Sequence, residues 1–71
     1  MISEKLERLV EEMIEKGVLF EDAVREFEKR FIAQVLGRCG GSLTKTADVL
    51  GMHRNTLTRK LHAYHIDRRL G

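Results

Sequence analysis

The sequence has one cysteine, Cys39, and contains neither proline nor tryptophan. A single cysteine cannot form an intrachain disulfide or a thiolate cage around a metal ion, and this scarcity is typical of a reducing intracellular setting. A chain of 71 residues buries only about 60% of its unfolded surface, so it is marginally stable by itself. Because disulfides and a thiolate metal site are excluded, the sequence predicts that oligomerisation supplies the missing stability.

Long apolar runs are also missing. No run approaches the roughly 20 residues that span a bilayer, and the chain does not open with a signal-peptide pattern. We therefore expect a cytoplasmic protein with no membrane partner. No acid, base and nucleophile converge in the pattern, and His62 and His65 have no further metal ligands near them. The sequence predicts that the protein is not an enzyme and uses no cofactor or metal ion.

The charges are unevenly divided along the chain. Residues 1–41 contain seven basic and nine acidic side chains, a net charge of −2, whereas residues 42–71 contain six basic and two acidic ones, a net charge of +4. No acidic residue lies between Asp48 and Asp67. This division predicts that the acidic, amphipathic first part assembles and that the basic second part binds a polyanion.

Apolar residues recur at helical spacing in four stretches, which predicts an all-α fold of four helices. The first helix is predicted over residues 3–16, with Ser3 as its N-cap and Gly17 as its stop. The second is long, begins near Phe20, and turns apolar on two sides toward its C-terminus, which predicts contact with two neighbours. A cluster of glycines is predicted to end it: Gly37, Gly40 and Gly41.

Two short helices are predicted after this cluster. Ser42 is expected to cap the first and Gly51 to end it. The second is predicted over residues 54–64, Ile66 closes its core, and a basic tail follows from Asp67. The apolar residues expected to face inward on this last helix are Leu57, Leu61 and Tyr64.

A short helix, a glycine-containing turn and a basic second helix form a helix-turn-helix motif. Ala47 is the small residue that lets the two helices approach closely, and Gly51 supplies the positive φ that the turn requires. In this motif the second helix lies in the major groove of DNA, with its N-terminal residues nearest the base edges. The motif and the acid-free window together predict a DNA-binding surface.

The predicted base contacts lie at the start of the second helix. Arg54 is placed to donate two hydrogen bonds to guanine, and Asn55 to pair with adenine or a phosphate. Thr58, one turn on, is expected to contact a thymine methyl or the sugar-phosphate backbone. The phosphate contacts are predicted at the start of the preceding helix and further along the second: Ser42, Thr44, Lys45, Arg59 and Lys60.

Residues 41–66 resemble the helix-turn-helix of the Fis family, and the run G-M-H-R-N-T-L-T-R-K-L at 51–61 carries the resemblance. The same module ends the enhancer-binding proteins of the nitrogen-regulator type. The resemblance implies that two long preceding helices interlock two subunits into a homodimer that bends DNA and reads it degenerately. It also implies that Arg54 is the principal base-contacting residue and that the backbone is held by Thr44, Lys45, Thr56, Arg59 and Lys60.

The two long helices carry wide apolar faces, which would form a large exposed patch on a monomer. Such a patch usually marks an interface. A two-fold dimer would cover it and would place two basic helices on one side of the molecule. The predicted dimer interface consists of Leu6, Leu9, Val10, Met13, Phe20, Val24, Phe27 and Phe31.

The sequence therefore predicts one domain over residues 1–71, with dimerisation helices at 3–40 and the helix-turn-helix at 42–66. The expected function is homodimeric, sequence-tolerant binding of double-stranded DNA, in transcription regulation or nucleoid organisation, with the transcription machinery as a candidate partner. Two alternatives stay open, namely the C-terminal domain of a larger sigma-54-type activator and a helical protein-interaction module without nucleic acid. Two residues also keep two interpretations: His53 contacts DNA or caps the last helix, and Thr56 contacts DNA or fixes the helix start.

Overall fold

The computed structural model describes residues 2–67, which form four α-helices joined by short turns. The helices are α1 (Ile2–Glu15), α2 (Phe20–Arg38), α3 (Leu43–Leu50) and α4 (Arg54–Ala63). The predicted all-α fold is confirmed, and the described residues contain no strand. The predicted basic tail lies outside the described residues beyond Asp67.

Two expectations about the helix ends are wrong. Ser3 does not cap α1, because the helix already begins at Ile2 and includes Ser3. Gly37 does not end α2, because the helix continues through it to Arg38. One glycine inside a helix costs only about 1 kcal/mol, which the packing of this segment outweighs. The chain leaves the helix only where Gly40 and Gly41 take positive φ angles.

All four helices end in the same way. After α2, the N–H of Gly41 donates to the carbonyl of Leu36 over 3.0 Å and the N–H of Gly40 donates to the carbonyl of Gly37 over 3.1 Å. These paired bonds satisfy carbonyls that the helix itself leaves without partners, and they require a left-handed residue after the helix. Glycine occupies that position after α1, α2 and α3, whereas His65, with φ of 55°, occupies it after α4.

The buried core belongs to the C-terminal part of the molecule. Helix α3 packs against both α2 and α4. The buried apolar side chains come from the second half of α2 and from the two short helices: Ile32, Leu36, Ala47, Leu57 and Leu61. Partly buried side chains surround them, among which are Leu43, Leu50, Met52, Tyr64 and Ile66. The predictions for Ala47, Leu57 and Leu61 are confirmed.

Thr46 is a fully buried polar residue that the sequence pattern did not indicate. Its hydroxyl donates a hydrogen bond to the backbone carbonyl of Ser42 over 2.7 Å. Because burial of a hydroxyl is costly unless the group is hydrogen-bonded, this local bond is what allows a threonine beside Ala47 in the core.

Helix α1 contributes nothing to this core, since none of its residues is buried. Its apolar side chains face those of the first half of α2 across an open groove. Among residues 2–67, no helix has both the length and the apolar character needed to cross a lipid bilayer.

Candidate nucleic-acid interface

The two helices of the motif are each capped by a side chain. The hydroxyl of Ser42 accepts a hydrogen bond from the N–H of Lys45 over 3.2 Å at the start of α3. At the other end of α3, Gly51 is left-handed with φ of 70°, so the predicted roles of Ser42 and Gly51 are confirmed. A side chain at position 51 would meet no neighbouring atom, so the backbone angle is what favours glycine there.

His53 is the N-cap of α4. Its Nδ1 accepts a hydrogen bond from the N–H of Asn55 over 3.0 Å. Because Nδ1 is an acceptor, the proton of the neutral ring lies on Nε2. The capping interpretation of His53 is therefore confirmed, and the exposed ring keeps one N–H donor for other contacts.

The predicted base-reading residues lie at the exposed start of α4. Arg54 is its first residue, and Arg54, Asn55 and Arg59 are all exposed. The hydroxyl of Thr58 donates to the backbone carbonyl of Arg54 over 3.0 Å, which engages its donor hydrogen within the helix. Near the start of α3, Thr44 and Lys45 are exposed as well, whereas Ser42 is partly buried.

A groove between α2 and α4 brings together part of the predicted phosphate-binding set. Thr56, Arg59 and Lys60 line it, and Arg25 of α2 lies in the same groove. Sequence reasoning missed Arg25, because its position beside α4 depends on how α2 packs rather than on any local motif. Thr58 instead lines a second depression, on another side of α4, together with His62 and Leu43.

Lys60 is engaged inside the molecule. Its Nζ donates to Oε1 of Glu28 over 2.6 Å, and the Tyr64 hydroxyl donates to the other oxygen of the same carboxylate. The hydrogen bond from Lys60, supported by that from Tyr64, lowers the pKa of the Glu28 carboxyl. The same bonds raise the pKa of the Lys60 ammonium and of the Tyr64 hydroxyl. Sequence reasoning assigned Glu28 no role, since 32 positions separate it from Lys60.

The residues predicted for the dimer interface form a continuous apolar surface. Seven of the eight line one groove between α1 and α2, together with Ile14, Val18 and Ala23. The eighth, Phe31, packs its ring against Phe27 with 5.4 Å between the ring centroids, next to Leu9 and Met13. Most of this surface is exposed, and Phe20 reaches 81% exposure.

Comparison with known proteins decides the family. The family model of the bacterial regulatory proteins of the Fis family matches residues 23–64, which cover α4 and α3 and most of α2. The chain belongs to the Fis family. No solved structure matches it significantly.

Two kinds of curated relative share this domain. A Fis-like DNA-binding protein of Xylella fastidiosa is 39% identical over 46 residues, which are 65% of this chain and 51% of the relative. The nitrogen assimilation regulatory protein NtrX of Azorhizobium caulinodans is 38% identical over 47 residues, which are 66% of this chain and 10% of NtrX. The chain thus spans about half of the shorter relative and a tenth of the longer one.

Family and geometry agree on the general class. The chain carries the helix-turn-helix of the bacterial regulatory proteins of the Fis family. The family is described as one of bacterial regulatory proteins, and residues 2–67 hold no cluster of side chains suited to a metal ion.

Proposed function

We propose that this Fis-family chain acts as a homodimer that binds double-stranded DNA with little sequence preference and regulates transcription or organises the nucleoid in the cytoplasm. Each subunit contributes α4 to one major groove, and the two grooves lie on the same side of the duplex. The observation that carries the proposal is the separation of two surfaces on one small chain, an open apolar groove on α1 and α2 and a basic helix-turn-helix.

The apolar groove supports the dimer. Seven of its side chains belong to the interface expected from the sequence, and α1 has no buried residue. Exposed apolar area is costly in water, at roughly 25 cal/mol per Å². A second copy related by two-fold symmetry offers the same surface in return and covers both. The division into dimerisation helices at 3–40 and a DNA-binding motif at 42–66 follows from this proposal.

The exposed start of α4 supports the proposal that this helix contacts the DNA bases. Arg54 is the first residue of the helix, the region that a helix-turn-helix brings closest to the base edges. Asn55 follows it, and Arg59 lies one turn further along. Ser42, Thr44, Lys45, His53, Thr56 and Thr58 are assigned to supporting contacts with the sugar-phosphate backbone and neighbouring bases.

A second candidate function is favoured by the match to NtrX. There the shared segment is only 10% of the regulator, so the same domain also serves as one part of a long protein. Under this alternative the chain is the C-terminal DNA-binding domain of a sigma-54-type activator, and the transcription machinery is its further partner. The length of the open reading frame that encodes the chain decides between the two.

Substitution of Arg54 tests the proposal directly, and substitution of a second exposed arginine, Arg30, serves as its control. Arg54→Ala removes the expected base contact at the start of α4, while Arg30→Ala removes an exposed arginine of α2 that pairs with Glu26. We expect Arg54→Ala to cost about 1–3 kcal/mol of DNA-binding free energy and to reduce discrimination among sequences. Arg30→Ala should leave both nearly unchanged.

Fluorescence anisotropy with labelled duplexes at several salt concentrations measures both quantities. Contacts to about six to ten phosphates make affinity fall by about 10³–10⁵ between 50 and 200 mM salt. A wild-type chain that binds no duplex at low salt yet forms a stable complex with a protein would contradict the proposal and favour a protein-interaction module.

A further inference from the structure

The carboxylate of Glu28 joins the recognition helix to the long helix α2. One of its oxygens accepts from Nζ of Lys60 and the other accepts from the hydroxyl of Tyr64. Lys60 and Tyr64 are four positions apart, so both donors lie on one flank of α4, one turn apart. Two bonds to one carboxylate therefore hold the C-terminal end of α4, one at Lys60 and one at the C-cap residue Tyr64.

These polar bonds constrain α4 in a way that the apolar core does not. Leu57 and Leu61 anchor the neighbouring face of α4 by burial, and hydrophobic attachment is non-directional. Helix α3 packs against both α2 and α4, and the bonds of Glu28 are the polar link that joins α2 directly to the end of α4. The bonds of Glu28 are directional, so they fix the rotation of α4 about its axis.

The charge of Glu28 makes this role distinct from simple attraction to DNA. A carboxylate beside a basic helix lowers the positive charge that the helix offers to a polyanion. The side chain of Lys60 is only 31% exposed, and its Nζ forms an ion pair with Oε1 of Glu28 over 2.6 Å. Arg59, the next residue along the chain, is exposed and has no such partner in its groove. The two adjacent cations of α4 are thus in different electrostatic settings.

We propose that Glu28 is a positioning residue for DNA recognition and that Lys60 acts as its tether rather than as a cation that neutralises a phosphate. This inference rests on the proposed function, because it assumes that α4 enters the DNA groove. The tether sets the angle at which Arg54 and Asn55 meet the bases, and its loss affects sequence discrimination as well as affinity.

Three substitutions test the tether. Glu28→Gln removes the charge and keeps the shape, Lys60→Met removes the ammonium and keeps the length, and Tyr64→Phe removes a single hydroxyl. Arg59→Met is the matched control, since it removes a neighbouring exposed cation from the same helix. Anisotropy titrations give the affinity for a duplex selected from a random library and for an unrelated duplex, each across the salt range. Far-UV circular dichroism verifies that every variant is folded.

The expected results separate tether from phosphate contact. Arg59→Met makes the negative slope of log K against log salt shallower by about one. Lys60→Met leaves this slope unchanged. Glu28→Gln weakens binding of the selected duplex by about threefold to tenfold, although it raises the net positive charge. Tyr64→Phe acts in the same direction by a smaller factor. In the double variant, Glu28→Gln adds little to Lys60→Met, because both break the same link.

Two results would overturn the inference about Glu28 and Lys60 while leaving the proposed function intact. One is a loss of slope in Lys60→Met equal to that in Arg59→Met, and the other is tighter binding of the selected duplex by Glu28→Gln. In both cases the wild-type chain still binds DNA with a strong salt dependence. If the wild type shows no salt-dependent binding at all, the proposed function fails and the inference falls with it.

Discussion

Helices α1 and α4 are both amphipathic, but they meet different surroundings. Helix α1 has 14 residues and none is buried, whereas α4 has ten residues and buries Leu57 and Leu61 completely or nearly so. The apolar face of α4 packs on its own chain, and that of α1 lines an open groove. The comparison teaches that helical periodicity identifies an apolar face but does not tell whether the same chain covers it.

The charges follow the same division. The first part of the chain, with a net charge of −2, carries the uncovered apolar surface and two of the core residues, Ile32 and Leu36. The second part, with +4, carries the rest of the core and the exposed start of α4. A surface that pairs with a copy of itself gains nothing from a high charge of one sign, since like charges repel. A surface that meets DNA gains affinity from each cation.

The largest expected effect is the loss of a core side chain. Leu57→Ala should lower the free energy of unfolding by about 2–5 kcal/mol, because Leu57 is fully buried within one chain. Leu9→Ala is the matched control, since Leu9 is 46% exposed in α1. Urea unfolding at several chain concentrations measures both. Leu57→Ala should lose the same stability at every chain concentration, whereas Leu9→Ala should lose stability only at concentrations where dimers form. If Leu9→Ala loses as much stability as Leu57→Ala at every concentration, the difference between α1 and α4 is contradicted.

A charge placed in the apolar groove should separate the subunits. Phe27→Asp introduces a carboxylate where a partner would bury it, while Phe27→Leu keeps the position apolar. Because a lone subunit loses the advantage of a second linked binding site, we expect DNA affinity to fall by about 100-fold in Phe27→Asp. Phe27→Leu should retain most of the affinity. Electrophoretic mobility shifts measure the difference, and unaltered binding by Phe27→Asp would show that a single subunit suffices.

The end of α4 offers a smaller, stabilising change. His65 has a positive φ at the position that glycine occupies after the other three helices. A side chain in this conformation is strained, so His65→Gly should stabilise the fold by roughly 0.5–1 kcal/mol after the higher entropy of the unfolded glycine is counted. His62→Gly, inside α4, should instead destabilise it by a similar amount. Urea unfolding measures both changes, and a urea midpoint for His65→Gly below that of the wild type would contradict the proposed backbone strain at His65.

The smallest expected effect is a dependence on pH. The hydrogen bond from Lys60 holds the pKa of Glu28 below its ordinary value of 4.5, so its contribution is fully present above that value. It is lost as the pH falls through the lowered native value. The stability difference between wild type and Glu28→Gln should therefore be constant between about pH 6 and 9 and vanish in strong acid. Thermal unfolding across pH measures it, and a difference that persists in acid would contradict the assignment.

Several features that depend on neighbouring residues alone were predicted correctly from the sequence. Ser42 and Gly51 were predicted at the two ends of α3 because caps depend on neighbouring residues alone. The inward positions of Ala47 and Leu57 followed from helical spacing. Two further local predictions failed: Ser3 lies inside α1, and Gly37 lies inside α2. In the second case a propensity of about 1 kcal/mol was outweighed by the packing of the helix.

The rest of the site depends on packing between distant segments. Glu28 and Lys60 are 32 positions apart, and no periodicity tells which residues of α2 will lie beside α4. The burial of Thr46 depends on how α3 packs against α2 and α4, although its hydroxyl is satisfied locally by the carbonyl of Ser42. Helical spacing did identify the residues of the groove between α1 and α2, and in the proposed dimer a second copy of the chain would cover them.

Sedimentation equilibrium of the wild-type chain at micromolar concentrations measures whether the apolar groove pairs two subunits. If the apolar groove pairs two subunits, the mass should be twice the 8.2 kDa of one chain, and one such pair should bind each short duplex. A species of single-chain mass at those concentrations, bound to DNA as one copy per duplex, would contradict the proposed division between an assembling part and a reading part.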